Sequence, residues 1–398
     1  MIVSRKEPEH RDGWSRRAFL AAAGALLPVQ ALAAVRKATP APAAEPIGRE
    51  KRRMLQFNGY AIDAETPLDA LTTYITPTDL LFVRHHWNPM YPSLRGSWRL
   101  VVDGEVERPI SFALADLRRF PRSTATCVLQ CAGNGRSLYE PRVPGVQWKS
   151  GAVGNARWTG ARLSDVLKNV GVKASARHLH LFGSDRPPVK VPPFYRSIEL
   201  EKALADAIIA YELNGEPLPQ LHGAPARLVV PGWAGDHWMK WLVRLSPQPE
   251  PQKGFYMETA YRYPVKPGEP GAPVPPEGMR PVTELFVKSS ITVAPESARA
   301  GAPVVIRGFA FSGAPDIARV EITEDDGATW KEATLGADHD PHAWRLWNFR
   351  WTPRSPGKAS LAARATDSRG AVQPREAAWN PSGYLHNAWP RVEIEVVA

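Results

Sequence analysis

The sequence predicts an α+β domain followed by an immunoglobulin-like β-sandwich, and three observations carry that expectation. Strand and helix signals mix from residue 51 to residue 263, and a Pro/Gly-rich stretch interrupts the chain at 264–282. From 283 to 398 short alternating strands recur between turns without a helix signal. The 398 residues are more than one hydrophobic core usually covers, which fits two folded units.

The first segment reads as an address. Ser15-Arg16-Arg17-Ala18-Phe19-Leu20 sets an arginine pair directly before an apolar stretch at 18–27, and Ala31-Leu32-Ala33 supplies a small-x-small cleavage pattern. Residues 1–33 therefore resemble a twin-arginine export signal, which implies a periplasmic protein carried across the membrane already folded. Residues 34–50, rich in Ala and Pro, read as a tether. No run of eighteen apolar residues occurs, so no conventional membrane-spanning helix is expected.

Composition narrows the function classes. With 43% hydrophobic and 23% charged residues the chain is not a disordered protein. Its 2 cysteines are too few for a disulfide scaffold or a four-thiolate metal site, and no Cys-x-x-Cys-His run offers a haem attachment. The net charge of +10 suits an anionic substrate or an acidic partner. That charge is spread along the chain rather than gathered in basic blocks, so nucleic acid is not an expected partner.

In chain order, Trp98-Arg99-Leu100-Val101-Val102 reads as a strand ending at the turn Asp103-Gly104. Leu163, Val166, Leu167 and Val170 recur at helical spacing, and Gly171 follows as a stop. Residues 197–209 read as a further helix capped by Ser197. Leu228-Val229-Val230 is a short buried strand running into a turn. In the second half, Val304 to Phe309, Val320 to Thr323, the alternating Leu361, Ala363 and Ala365, and finally Val392, Ile394 and Val396 supply the strands of the sandwich.

The chemistry-bearing residues cluster at predicted turns. Thr126-Cys127-Val128-Leu129-Gln130-Cys131 runs as a strand into Ala132-Gly133-Asn134-Gly135-Arg136, which places Cys131 where a strand gives way to a small-residue loop. Four residues along a strand set Cys127 and Cys131 too far apart for a disulfide. Taken alone, Cys131 reads first as an inert buried thiol, although Arg136 nearby favours a thiolate; a protease-like nucleophile lacks any family signature around it. Phe82-Val83-Arg84-His85-His86, Ala210-Tyr211-Glu212-Leu213-Asn214-Gly215, His222 to Arg227 and Gly235 to Trp241 add a set rich in Arg, His and Lys. Such a set suits a phosphate-bearing cofactor and an oxyanion. His178 and His180 share one side of a strand but lack a third ligand nearby, and no dinucleotide, P-loop or serine-hydrolase motif is present.

These segments resemble the sulfite oxidase family of molybdenum enzymes, most of all its bacterial periplasmic members without a haem domain. The resemblance rests on Phe-Val-Arg-x-His at 82–86, Leu-Gln-Cys-Ala-Gly-Asn at 129–134, Gly-Ala-Val-Gly-Asn-Ala-Arg-Trp-x-Gly at 151–160, Ala-Tyr-Glu-Leu-Asn-Gly at 210–215 and Lys-Trp-Leu at 240–242. Val-Glu-Ile-Thr-x-Asp-Asp-Gly-x-Thr-Trp at 320–330 matches the family's dimerisation domain. The resemblance implies a molybdenum cofactor with one molybdopterin and no haem, with Cys131 as the metal-binding thiolate. It implies that Arg84, His86, Asp185, His222, Arg227 and Lys240 hold the pterin and its phosphate. Arg84, Arg136, Trp148 and Tyr211 are implied around the substrate, with Tyr211 moving protons. The implied reaction oxidises sulfite to sulfate by oxygen-atom transfer and passes electrons to a separate c-type cytochrome, in a homodimer.

Two positions depart from the animal members of that family. Gly135 and Ser382 stand where those members carry arginine, and His237 stands where an arginine is common. Fewer cations around the oxyanion leave room for another sulfur compound, as in a sulfane dehydrogenase or a sulfoxide reductase. A non-catalytic secreted binding protein is the alternative from another class.

Overall fold

The computed structural model describes residues 54–58, 62–87, 97–187 and 189–398; the export signal at 1–33 and the tether at 34–50 lie outside the described residues. Two sheets build the first half. One is antiparallel and runs from Arg122–Gln130 through Val153–Arg162 to Ile208–Leu213, which also pairs with Glu216–Pro217 and Arg227–Val229. The other orders Ile110–Phe112, Leu100–Val102, Leu242–Gln248, His178–Gly183 and Tyr195–Glu199, and only Leu100–Val102 runs parallel to its neighbour Leu242–Gln248. The helix Leu163–Val170 forms where the 3.6-residue spacing places it, buries Leu163, Val166, Leu167 and Val170, and ends at Gly171.

Two expectations change here. Residues 197–209 are a strand, a short helix and another strand, at Tyr195–Glu199, Leu200–Ala205 and Ile208–Leu213. The β-branched Ile208 and Ile209 belong to the sheet, and the Ser197 hydroxyl accepts the Gln252 N–H rather than capping a helix. The Pro/Gly stretch at 264–282 is also more than a linker. It contains a 3-10 turn at Pro276–Gly278 and an antiparallel ladder of Arg262–Pro264 with Met279–Pro281. Pro264 and Pro281 occupy strand ends, where an absent N–H costs least.

The second half is a sandwich of two sheets. Lys288–Val293, Val304–Phe311, Arg345–Trp351 and Thr334–Leu335 form one. Ser297–Arg299, Arg391–Val397, Gly357–Asp367, Ile317–Thr323 and Lys331–Glu332 form the other. Their inward residues, among them Ile306, Val320, Trp347, Leu361 and Ile394, fill the space between the sheets. The loop before the last strand leaves this sandwich and packs on the Cys131 turn. Leu385 N–H donates to the Ala132 carbonyl at 2.8 Å, and the Tyr139 hydroxyl donates to the Tyr384 carbonyl at 3.0 Å.

Candidate active site

Strand Arg122–Gln130 is alternately exposed in its first half and wholly buried in its second, so it dives from the surface into the core. Cys127 lies within that buried half with no exposure, and Cys131 follows the last strand residue at 8% exposure. Both are free thiols. The turn after Cys131 needs its glycines: a Cβ on Gly133 would lie 2.6 Å from Nη2 of Arg136, and Gly135 adopts φ 87° against the His386 side chain. The Cys131 N–H donates to the Ala152 carbonyl at 2.9 Å, which ties the turn to the neighbouring strand.

A half-open cavity lies beside this thiol. Its lining draws together Arg84, His86, Cys131, Asp185, His222, Arg227 and Lys240, which the sequence leaves scattered over five segments. Arg84 comes from the two-residue strand Val83–Arg84, Arg227 from the start of Arg227–Val229, and Lys240 from the approach to Leu242–Gln248. Strand ends thus supply most of the wall, where loops can present side chains without breaking the sheets.

The electrostatics of the wall are unusual. Arg227 is 2% exposed; among the described residues its guanidinium donates to the carbonyls of His222 and Trp238, both at 3.1 Å, and lies over the Trp158 ring. Nε of Arg227 has no partner, and burial without a compensating carboxylate pulls its pKa down to about 9. Lys240 donates to the carbonyls of Arg84 at 2.9 Å and Leu221 at 3.2 Å, and burial followed by the repulsion of Arg227 drives its pKa well below the usual lysine range. Among the described residues neither cation makes an ion pair. Cationic side chains that line a cavity without an ion-pair partner, with Asp185 the carboxylate acting on Lys240, fit a bound anion such as a phosphate.

His86 is neutral for the same reason, since burial and then Arg84 push its pKa well below normal. Its Nε2 lies 2.6 Å from the Tyr261 hydroxyl, and its ring stacks on Phe194 at 3.8 Å. Burial raises Asp185 to about 6, with Lys240 pulling the other way. Burial also raises the Cys131 thiol, even though Arg84, Arg136 and the Gly133 N–H favour the thiolate. The positive surroundings do not deprotonate this cysteine by themselves; a thiolate here calls for a bound metal, whose affinity then depends on pH. The Cys131 thiol, the neutral His86 and the unpaired Arg227 and Lys240 together fit an anionic, metal-bearing cofactor.

Three expected substrate-side residues fall outside the cavity lining. Arg136 is buried behind Cys131, where Nε donates to the Ser382 carbonyl at 3.0 Å, Nη1 donates to the Val146 carbonyl at 2.9 Å, and the guanidinium lies over the Tyr384 ring. It acts on Cys131 through its charge. Trp148 has no exposure and lies in the layer beneath, its carbonyl accepting the Ser137 N–H. Tyr211 sits elsewhere: it flanks a register shift between Ala210 and Glu212, with the Arg118 guanidinium 5.5 Å over its ring. Its hydroxyl lies in the field of Glu212, Arg122 and Arg118, and the residue is not part of the lining around Cys131.

The structure adds residues that the sequence did not single out. Tyr261, buried at a left-handed φ of 55°, lines the cavity, stacks on Tyr384 at 5.3 Å and lies under the Arg196 guanidinium. Asp236 lines the cavity too. Its Oδ2 accepts from Arg196 at 2.7 Å, its Oδ1 has no partner, and burial, opposed by Arg196, raises its pKa to about 7. Asp63 holds Arg84 from behind at 3.2 Å. No local pattern marks these three, because each reaches the site through contacts between distant strands. His178 and His180 stay half-buried on the strand His178–Gly183, and among the described residues no cluster of three or more His, Cys, Asp or Glu is placed to hold a metal.

Comparisons with known proteins agree with this geometry. Residues 86–256 match the oxidoreductase molybdopterin binding domain, and residues 280–397 match the Mo-co oxidoreductase dimerisation domain. The chain is 35% identical over 383 residues to the mitochondrial sulfite oxidase of Rattus norvegicus, covering 91% of this chain and 70% of that one. It is 37% identical over 353 residues to the mitochondrial sulfite oxidase of Homo sapiens, covering 84% of this chain and 64% of that one, so it spans under two thirds of the human protein. The sulfite oxidase of Arabidopsis thaliana is 35% identical over 365 residues and is covered over 92% of its length, with 84% of this chain aligned. The crystal structure of the sulfane dehydrogenase SoxCD from Paracoccus pantotrophus superposes with a TM-score of 0.75 at 30% identity, over 91% of this chain and 94% of that one.

Proposed function

Because the chain belongs to the sulfite oxidase family of molybdopterin oxidoreductases, we propose that it oxidises sulfite to sulfate and passes the electrons to a c-type cytochrome in the periplasm. The observation that carries the reading is the pair Arg227, buried, and Lys240, half-buried, which line the Cys131 cavity and among the described residues make no ion pair. They would hold the phosphate of the cofactor, with His86, Asp185 and His222 on the pterin and the Cys131 sulfur as the metal ligand. When bound, the molybdenum centre supplies two-electron oxygen-atom transfer, the chemistry that no side chain provides.

The chain's own residues bind, orient and move protons. Arg84 reaches the cavity as a firmly protonated guanidinium: burial opposes its charge, but Asp63 together with Tyr261, Cys131 and Tyr256 outweighs it. It would take one oxygen of the substrate. Tyr261 holds its hydroxyl 2.6 Å from the neutral His86, a geometry in which the tyrosine O–H donates to the ring or accepts from it. Proton movement assigned to Tyr211 on sequence grounds passes, in this reading, to Tyr261. Arg136 would set the position and potential of Cys131 rather than touch the substrate.

A second substrate class has a specific observation behind it. Ser382 offers its backbone carbonyl to Arg136 in place of a further cation, so the wall near Cys131 carries less positive charge than an arginine at that position would give. A sulfane-type substrate, which the SoxCD structure's name assigns to that protein, tolerates that deficit better than a small dianion. Other features complete the proposal: export by the twin-arginine signal at residues 1–33, and a homodimer formed through the sandwich that matches the dimerisation domain. Among the described residues no helix is long and apolar enough to cross a membrane. The test is steady-state reduction of cytochrome c by molybdenum-loaded protein with sulfite as donor. Sulfite-dependent reduction that vanishes in cofactor-free protein supports the assignment. No sulfite turnover, with turnover of a sulfane donor instead, replaces it with the second reading.

A further inference from the structure

The cavity wall carries two arginines and a lysine, Arg84, Arg227 and Lys240, and among the described residues Arg84 alone of these makes an ion pair with a carboxylate. That partner is Asp63. It lies in the short strand Asp63–Glu65, opposite Arg84 in the ladder with Val83–Arg84, so backbone register sets the two side by side. Oδ1 of Asp63 accepts from Nη1 of Arg84 at 3.2 Å, with the Asp63 side chain 1% exposed and that of Arg84 24% exposed. The carboxylate is therefore sealed behind the guanidinium, which faces the cavity.

Geometry alone does not require a negative charge there. The guanidinium groups of Arg227 and Arg136 are each fixed by two backbone carbonyls, and Arg84 already donates to the His85 carbonyl. A buried carboxylate adds charge, not merely a tether, and an opposite charge at this distance weakens the pull of Arg84 on any anion beyond it. The proposed product, sulfate, is a dianion that must leave a wall of buried cations, and product release sets turnover in many enzymes.

We infer that Asp63 is a charge-setting and positioning residue: it aims Arg84 into the cavity and offsets part of its charge, so that a divalent oxyanion binds loosely enough to depart. This rests on the reading of Arg84 as the oxyanion contact. The test uses molybdenum-loaded Asp63→Asn at pH 8, with sulfate as the probe, by calorimetry and by inhibition of sulfite turnover. The inference predicts sulfate binding about ten-fold tighter or more than in wild type, with KM for sulfite and kcat both lowered. Asp63→Ser removes the same charge with a smaller side chain and gives the second reading if the Asn variant folds poorly. Unchanged or weaker sulfate binding in a folded, loaded variant overturns the inference, because a purely structural Asp63 predicts a lower melting temperature without tighter anion binding. Failure of the parent reading shows differently: wild type itself then neither binds sulfate nor oxidises sulfite, and the inference falls with it.

Discussion

The Cys131 cavity and the β-sandwich treat charge in opposite ways. In the sandwich, most charged groups sit at the rim and are matched: Arg364 with Glu321 at 2.9 Å, Arg345 with Asp316 at 3.3 Å, and Arg391 with Asp326 at 2.6 Å. Its core is apolar, with Ile306 and Leu361 fully buried, and Lys288 is the exception, buried on the edge of that core with its Nζ unpartnered among the described residues. Around the cavity, Arg227 is buried and Lys240 half-buried, among the described residues neither makes an ion pair, and Asp236 Oδ1 has no hydrogen-bond partner. Desolvating an unpaired charge is expensive, so a fold retains such groups where a ligand completes them. The contrast separates a region built to be stable from one built to be filled.

The sharpest way to break the contrast is at the two cysteines, which share a strand but not an environment. Cys131→Ser should reduce molybdenum content and turnover more than about 100-fold, beyond the loss typical of outer-shell partners, while metal analysis shows Cys127→Ser close to wild type. Equal losses in both would place the metal ligand elsewhere. Next come Arg227→Met and Leu361→Ala, one from each region. Arg227→Met should lower cofactor retention by about ten- to a hundred-fold, the value of one charged hydrogen bond. The metal-free protein should then melt no lower than wild type, because an unmatched buried charge has been removed. Leu361→Ala should do the reverse, costing about 2–5 kcal/mol in denaturant unfolding with molybdenum per folded chain unchanged.

The smallest effect sharpens the boundary between the regions. Glu65 accepts the N–H groups of Lys149 and Gly151, beneath the Cys131 turn, and lies near the buried Lys288 of the sandwich. Burial raises its pKa from 4.5 to about 7. The folded state therefore binds a proton more tightly than the unfolded state, and Glu65 costs stability as pH rises through that window. Glu65→Gln, which can still accept both bonds, should become more stable relative to wild type between pH 5 and pH 7.5. Parallel melting curves across that range would show Glu65 to be ionised throughout.

Much of this was legible from residue order because the matching motifs lie at strand ends. The run Gln130-Cys131-Ala132-Gly133 marks its own turn, and the helix at 163–170 announces itself through its spacing. What stayed hidden depends on pairing at long range. Tyr211 carries the right chemistry in a matching motif, yet it sits at a register shift with Arg118 over its ring and outside the cavity lining. Tyr261 occupies a segment without periodicity and reaches His86 only through the fold. Asp63 is an ordinary acidic residue until the ladder sets it against Arg84. The strands hidden at 197–209 and in the proline-rich stretch were lost for a related reason: strand pairing, of Tyr195–Glu199 with His178–Gly183 and of Arg262–Pro264 with Met279–Pro281, outweighs local preference.

The central claim is that the unmatched cations beside Cys131 exist to hold a molybdenum cofactor. The most direct test is elemental and pterin analysis of the wild-type protein purified from cells that make the cofactor, beside Arg227→Met prepared identically. The account predicts about one molybdenum per chain in wild type, sharply less in the variant, and loss of the pterin in parallel. A folded wild type free of molybdenum, or a variant that retains the full amount, would contradict it.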